Sequence, residues 1–305
     1  MVQSKVVWDG RAPLDYGPLQ LDTSSGPYLT VVKGSKPASL YTHVMAPNDI
    51  TATPLWTERL HPDAAFPAIA TEQTLRVFIG NTSIFVPGGS GVPQTGFRRT
   101  ELIAQVNGST ATARAELCKG RKAYHFSMLM ETLKPLDLIH EYQVVFVEPS
   151  DGSHVFGVQL GSPFTNPTGR LPSKDAGHIK ILDHALNVIY KTPFRDETWH
   201  NFAVIVDWDK KTLQVFFSPN EHALKPVSPK KKNPTVPDGE AGSGDFHIGI
   251  LKLPLVDKRD PPEVRGDVVH YGIQEGTVEG MMFSGVFVED LDDGLSLGNG
   301  EKLRV

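Results

Sequence analysis

The fold is decided by one predicted β-hairpin: residues 198–218 read TWHNFAVIVDWDKKTLQVFFS. Two runs of apolar, β-branched and aromatic residues, 200–207 and 212–218, lie on either side of the polar segment DWDKK at 207–211. Runs of this length, separated by turn-forming residues, are typical of paired antiparallel strands. The stretch therefore predicts two neighbouring strands joined by a short turn.

The same strand pattern recurs on both sides of this hairpin. Further strands are predicted at 75–85, 96–106, 122–130, 139–147, 154–160, 178–182, 188–192, 244–251 and 280–289. Short helical turns are predicted only near 64–69 and 220–224. Many short antiparallel strands and few helices predict an all-β fold, a β-jelly-roll sandwich of two antiparallel sheets. Curvature of one sheet gives a concave groove, which suits an extended polymer better than a small metabolite.

The chain length of 305 residues favours two domains only weakly, because all-β sandwiches of about 200–250 residues often form one domain. We expect a single domain over 1–305, with a long loop at about 225–244 and a polar tail at 292–305. The 28 glycines and 24 prolines would then supply turns between strands.

Composition excludes several classes of protein. Apolar residues make up 39% of the chain and occur throughout it, which argues against disorder. No apolar run is long enough to cross a membrane, and one cysteine, Cys118, cannot form an internal disulfide. The net charge of −5 disfavours binding to nucleic acid, which needs basic charge. The start of the chain, MVQSKVVW, has no signal-peptide pattern.

The predicted strand at 96–106 carries an unusual pair of charges. Side chains alternate along a strand, so Arg99 and Glu101 share one face. One interpretation is an exposed ion pair on a solvated sheet face, which would contribute little stability. The other is a groove carboxylate oriented by the neighbouring guanidinium.

The string IHEYQVVFVE at 139–148 provides a second candidate carboxylate. Alternation places Glu141 and Gln143 on one face and Tyr142 on the opposite, core-facing side. Gln159 in the next strand is then an expected neighbour of Gln143. Two glutamates on separate strands are the minimum for glycoside hydrolysis, one protonated to donate to the departing oxygen and one ionised. Gln143 and Gln159 suit contacts to sugar hydroxyls.

Further candidate substrate contacts are two histidines and two aromatic residues: His140, His247, Trp56 and Tyr41. Asp9 and Tyr271 are additional possible wall residues. The chain has neither an H-E-x-x-H motif nor a pair of cysteines, so no zinc site is indicated. We expect no metal and no cofactor.

Several strings resemble the catalytic domain of fungal glycoside hydrolase family 131. They are WDGR at 8–11, FRRTEL at 97–102, HEYQ at 140–143, WHNF at 199–202 and FHIGILKLP at 246–254. The resemblance covers roughly 6–288. It implies a β-jelly roll, inverting hydrolysis of β-glucans with β-1,3, β-1,6 or β-1,4 linkages, and secretion by fungi that degrade plant cell walls. Residue by residue, Glu101 and Glu141 match the proposed catalytic carboxylates, and Arg99 would tune Glu101. Which glutamate is the acid stays open.

Two alternatives remain. The first is a jelly-roll polysaccharide lyase acting on a uronate polymer, for which Arg99, Gln143, His140 or His247, and Tyr271 are available. The second is a carbohydrate-binding, lectin-like domain without activity. The expected partner is a β-glucan polysaccharide or oligosaccharide, with no nucleic acid and no membrane. We expect a secreted monomer.

Overall fold

The structure is a computed structural model that describes residues 5–56, 71–165 and 169–304. Within these ranges the strands are β1 (Val6–Asp9), β2 (Tyr28–Leu29), β3 (Thr42–Met45), β4 (Thr74–Ile79), β5 (Arg98–Ala104), β6 (Arg121–Met130), β7 (Glu141–Pro149), β8 (Phe156–Gly161), β9 (His178–Asp183), β10 (Val188–Pro193), β11 (His200–Asp207), β12 (Thr212–Pro219), β13 (Lys225–Pro226), β14 (Lys231–Lys232), β15 (Gly244–Lys252), β16 (Glu279–Asp290), β17 (Leu295–Gly298) and β18 (Glu301–Leu303). The helices are α1 (Pro18–Asp22) and α2 (Thr110–Leu117), with 3-10 turns at Ala38–Leu40, Pro54–Trp56 and Gly239–Gly242.

Two large antiparallel sheets form the predicted jelly-roll sandwich. Sheet A runs β13-β12-β11-β6-β16-β4-β3, with β1 also paired to β16 and β14 to β12. Sheet B runs β10-β9-β8-β7-β15-β5-β2. Phe126 and Phe202 of sheet A and Phe156 and Ile250 of sheet B are all 0% exposed and belong to one core cluster. The all-β prediction is confirmed.

The hairpin at 198–218 forms as predicted. β11 pairs with β12 from His200 opposite Pro219 to Asp207 opposite Thr212. Every residue of β11 is buried, because β6 and β12 lie on either side and both faces are covered. Phe202 packs in the core between the sheets, whereas Ile205 packs in a second cluster on the outer face of sheet A with Leu55. Burial on both faces explains why the run reads as almost continuously apolar.

The predicted polar tail at 292–305 lies on the surface of sheet A and is ordered in part. β17 and β18 form a hairpin, and Leu295 is 0% exposed in the second cluster. Burial of that leucine holds the segment on sheet A. The predicted loop at 225–244 contains β13 and β14, two short exposed strands that pair with the edge strand β12.

Helix prediction was less accurate. The turn predicted at 220–224 is not helical, and the one at 64–69 lies outside the described residues. α2 was missed because its sequence, TATARAEL, has no clear apolar stripe. Its start depends on Ser109, whose hydroxyl accepts a hydrogen bond from the Thr112 N–H at 3.1 Å. No helix among the described residues is long and apolar enough to span a membrane.

Candidate active site

We call the side of sheet B that faces away from the core the groove face. β15 lies between β5 and β7, so Glu101 is opposite Gly249, and Gln143 is opposite Leu251. On the far side of β7, Gln143 pairs with Gln159, as predicted. The arrangement places the polar side chains from three separate sequence strings on one surface.

The groove face is recessed rather than open to solvent. Arg99 is 7% exposed and Glu141 8% exposed, although the described strands place no second sheet over them. Flanking loops cover them instead: the Phe85 ring lies 5.8 Å from the Arg99 guanidinium, and the Phe164 N–H reaches Glu141. This face therefore has a polar floor that flanking loops partly cover.

Arg99 and Glu101 form a buried, bidentate ion pair. The Nε and Nη2 atoms of Arg99 donate to the two carboxylate oxygens of Glu101 at 2.6 and 2.7 Å. A third donor is His247, whose Nδ1 lies 2.8 Å from Glu101 Oε2. Arg99 Nη1 donates to Gln94 Oε1 at 3.1 Å. The alternative of an exposed surface pair is wrong, since the Glu101 side chain is 0% exposed.

This environment keeps Glu101 ionised. Burial acts to raise its pKa, but the charges and hydrogen bonds of Arg99 and His247 outweigh burial and hold the pKa at about 2. A carboxyl with so low a pKa has no proton to donate at ordinary pH. Glu101 can therefore accept hydrogen bonds or a proton, but cannot serve as the general acid.

His247 is oriented by its contacts on two sides. An ionised carboxylate only accepts hydrogen bonds, so Nδ1 of His247 is the donor to Glu101. Its ring also stacks on Phe146, with centroids 4.8 Å apart and planes 20° apart. Nε2 has no hydrogen-bond partner among the described residues. With Nδ1 committed to Glu101, Nε2 is the atom left to exchange a proton with a ligand or water.

Glu141 lies on the same face but accepts hydrogen bonds from uncharged groups only. Its Oε1 accepts from Gln143 Nε2 at 2.9 Å, and its Oε2 accepts from the Phe164 backbone N–H at 2.7 Å. Neither contact is an ion pair. The two candidate carboxylates thus have different surroundings, which is the requirement for assigning them different protonation states.

Glu148 is a groove-face carboxylate that the sequence pattern did not identify. Its side chain is 27% exposed and lies 3.9 Å from Arg99 Nη2. Burial raises its pKa, and the Glu101 charge adds to that effect. Strict alternation along 139–148 placed Phe146 on the core side. A bulge in β7 between Gln143 and Val145 reverses the alternation, so Phe146 and Glu148 come to the groove face.

The acidic groups of the groove do not make a good metal site. Ligand atoms of Glu101, Glu148 and His247 lie within 4.8 Å of one another. However, both oxygens of Glu101 already bind the Arg99 guanidinium, which supplies the positive charge. A second group of possible ligands consists of Asp137, His140 and Glu275. There too a positive charge is already present, because Lys252 Nζ lies 3.1 Å from Glu275.

Three predicted substrate contacts lie away from the groove. His140 is 0% exposed, with Nδ1 bonded to the Leu253 carbonyl and Nε2 to Glu275, so neither ring nitrogen is free. Trp56 packs on the outer face of sheet A against His125 and Phe287. Tyr41 is buried and its hydroxyl donates to the Thr82 carbonyl at 3.0 Å.

The remaining two wall candidates, Asp9 and Tyr271, lie in different places. Asp9 forms an exposed ion pair with Arg11 at 2.6 Å. Tyr271 is 39% exposed, in a loop whose backbone approaches Gly96 just before β5. Of the predicted residues, the structure brings together Arg99, Glu101, Glu141, Gln143, Gln159 and His247.

Comparison with known proteins defines the class. A family model described as the glycoside hydrolase 131 catalytic N-terminal domain matches residues 6–294, nearly the whole chain. The protein is therefore a glycoside hydrolase, an enzyme that cleaves glycosidic bonds. More narrowly, it belongs to glycoside hydrolase family 131, and the resemblance seen in the sequence is confirmed.

Two solved structures from this family have a similar fold. The catalytic domain of the family 131 protein from Coprinopsis cinerea is 25% identical, with a TM-score of 0.66 over 97% of this chain and 98% of that one. A family 131 β-glucanase catalytic domain from Podospora anserina is 21% identical, with a TM-score of 0.67 over 96% of this chain and 98% of that one. No curated protein sequence matches the chain.

The Arg99–Glu101 pair predicts a specific loss of stability in acid. Because the pKa of Glu101 is lowered from 4.5 to about 2, its ionised form stabilises the folded state. That contribution is complete above pH 4.5 and disappears as the pH falls towards 2. Thermal unfolding of wild type and Glu101→Gln should therefore differ most above pH 4.5 and converge near pH 2. A difference in Tm that stays constant across this range would contradict the ion-pair account.

Proposed function

We propose that the protein hydrolyses β-glucans with β-1,3, β-1,6 or β-1,4 linkages, with inversion at the anomeric carbon, and that the whole chain acts as one catalytic domain. One observation carries the proposal: a recessed polar face holds two glutamates, one locked in an ion pair and the other without one. The family 131 protein from Podospora anserina, which has the same fold, is a β-glucanase, and this supports the choice of polymer.

The assignment of roles follows from protonation. Glu101 stays ionised, so it belongs to the base side of the reaction. Its carboxylate holds the Nδ1–H of His247, which leaves Nε2 to accept a proton from the attacking water. In this scheme Glu101 is the ionised partner that orients His247 and balances the charge when His247 takes the proton.

Glu141 is then the proton donor to the departing glycosidic oxygen. It is the second glutamate of the predicted pair. Among the described residues it forms no direct ion pair with a lysine, arginine or histidine. In an inverting hydrolase the acid and the base side are separated, with room for water between them. Glu141 on β7 and Glu101 on β5 lie on two strands with β15 between them, which supports separate acid and base groups rather than two carboxylates side by side.

The neighbouring polar groups would orient the sugar. Gln143 and Gln159 lie side by side, and an amide offers both donors and an acceptor to hydroxyl groups. Arg99 supplies the fixed positive charge beside Glu101. Because a polysaccharide does not cross a cell membrane, the proposal also places the enzyme outside the cell, where we expect it to act as a monomer.

The proposal is tested by incubating the enzyme with β-1,3-, β-1,6- and β-1,4-glucans and with two uronate polymers, alginate and glucuronan. Release of reducing ends from a β-glucan without a new near-ultraviolet absorbance supports hydrolysis. An unsaturated, absorbing product from a uronate polymer would instead show a lyase. Binding to a glucan without release of sugar would indicate a lectin-like domain.

Glu148 is expected to influence the pH dependence rather than the chemistry. Glu148→Gln removes a negative charge beside His247 and Glu101. That charge attracts a proton to this cluster, so the acidic limb of the kcat/KM profile should move to lower pH by about one unit. The maximum kcat should fall by less than about tenfold, since no proton transfer is lost.

The control for this variant is Glu221→Gln, which changes an exposed glutamate at the end of β12. Its pH profile should superimpose on that of wild type. A loss of activity in Glu148→Gln as large as that expected for Glu141→Gln would mean that Glu148, not Glu141, donates the proton.

A further inference from the structure

A cavity of about 830 Å³ lies at one end of the sandwich, outside the groove. It is formed by α2, by the β11–β12 turn and by the segment around 233–243, and we call it the end cavity. Its lining includes Arg114, Trp208, Lys211, Asn233 and Glu240. The volume falls within the range of about 300–1,000 Å³ that is typical of ligand sites.

The end cavity shares no residue with the glutamate pair, yet it is connected to the groove. Arg114, which lines the cavity, donates to Asp245 at 3.1 Å. Asp245 lies opposite Glu148 at the start of β15, two residues before His247. A ligand in the end cavity would therefore sit close to the groove without blocking it.

The charges of the lining favour a neutral ligand. They are three basic residues, Arg114, Lys119 and Lys211, and four acidic ones, Asp207, Asp209, Asp238 and Glu240. Arg114 is paired with Asp245 and Lys211 with Asp238, so the basic groups are largely neutralised within the protein. Phosphate or uronate groups would gain little from such a lining, because an anion needs uncompensated positive charge.

The lining also combines an aromatic ring with hydrogen-bonding groups. Trp208 occupies the turn of the hairpin at 198–218, where its backbone N–H donates to the Gly120 carbonyl at 2.9 Å and its partly buried ring packs against the core while lining the cavity. Apolar Leu213 and polar Asn233, Thr212 and Ser243 complete the surface. A lining that mixes apolar and aromatic surface with hydrogen-bonding groups suits a sugar ring, which has C–H faces and hydroxyl edges.

We propose that the end cavity is a second glycan-binding site that holds a short segment of a neutral glucan while the groove cleaves the polymer. The choice of glucan as the ligand rests on the proposed function. Trp208 would contact the face of a sugar ring, and the charged rim would bond to its hydroxyls. The site would raise affinity for long chains and leave the chemistry to the groove.

The test is affinity electrophoresis in gels containing soluble mixed-linkage β-glucan. Two variants address the cavity: Trp208→Ala removes the ring, and Ala111→Trp fills the mouth from an exposed position on α2. The matched control is Thr112→Trp, on the same helix but not in the lining. Both cavity variants should bind the polymer at least threefold more weakly than wild type, and the control should bind as wild type does.

Hydrolysis of a short oligosaccharide separates this proposal from the proposed function. Weaker polymer binding in Ala111→Trp, with less than a twofold change in kcat on the oligosaccharide, supports the second site. Unchanged binding in both cavity variants would overturn it, as would equal losses in binding and in oligosaccharide cleavage. If no glucan is hydrolysed but cavity-dependent binding persists, the proposed function fails while the binding site stands.

Discussion

Replacing Glu101 with glutamine is expected to lower kcat/KM on β-glucan by about 10²- to 10⁴-fold, the range usually lost with one acid–base group. Glutamine is nearly the same size but has no charge. It would leave the Arg99 guanidinium without its partner and would no longer fix the His247 Nδ1–H by a charged acceptor. Initial rates of reducing-end release, measured on purified variant and wild type, check this result.

The structure supplies a matched control for Glu101→Gln. Glu131 is 2% exposed and pairs with Arg76 away from the groove, so Glu131→Gln also breaks a buried glutamate–arginine pair. Losing one partner of a buried pair destabilises proteins by roughly 3–5 kcal/mol, so both variants should have a lower Tm. Only Glu101→Gln should lose kcat/KM measured well below Tm. Comparable activity in the two variants would contradict a role for Glu101 in the reaction.

Replacing Glu141 with glutamine is expected to reduce hydrolysis of a natural β-glucan by at least about 100-fold, because the departing sugar oxygen needs a proton. An aryl β-glucoside with an acidic phenol as leaving group needs no such proton. Its cleavage should therefore fall by less than about tenfold in the same variant. This difference between substrates is specific to loss of a general acid.

Structural damage is distinguished by the same pair of substrates. The amide of glutamine can still accept a hydrogen bond from the Phe164 N–H, so the local fold should be retained. If Glu141→Gln loses the same factor on the glucan and on the aryl glucoside, Glu141 is not the proton donor. The raised pKa of Glu148 then makes that residue the next candidate.

The sequence was most informative where both faces of a strand are constrained. β11 was predicted to the residue because its central position buries Phe202 on one side and Ile205 on the other. The face shared by Arg99 and Glu101 was also predictable, since β5 keeps its regular alternation through these residues. Local periodicity is enough where no residue is inserted.

Features that depend on tertiary context were not predictable. A bulge after Gln143 moved Phe146 and Glu148 to the groove face, and alternation alone does not reveal a bulge. His140 lies beside Glu141 in sequence but on the opposite side of the sheet, bonded to Leu253 and Glu275. Trp56 was a plausible sugar-stacking residue by type, but His125 and Phe287 bury it elsewhere.

The C-terminal tail shows the same limit. Its polar, glycine-rich sequence did not predict the hairpin, which Leu295 anchors in a cluster with Leu55 and Leu291. Leu55 lies far from Leu295 in the sequence, whereas Leu291 precedes it by only four residues. Burial of one side chain can hold a short hairpin against a sheet, but the sequence alone does not show which side chain is buried.

The most direct test of the account is the anomeric configuration of the first product, followed by proton NMR during hydrolysis of a β-glucan. Separate acid and base groups on β7 and on the β5–β15 side predict that the α-anomer of the new reducing end appears first and equilibrates later. Initial appearance of the β-anomer would show retention and contradict the assignment of Glu101 and Glu141.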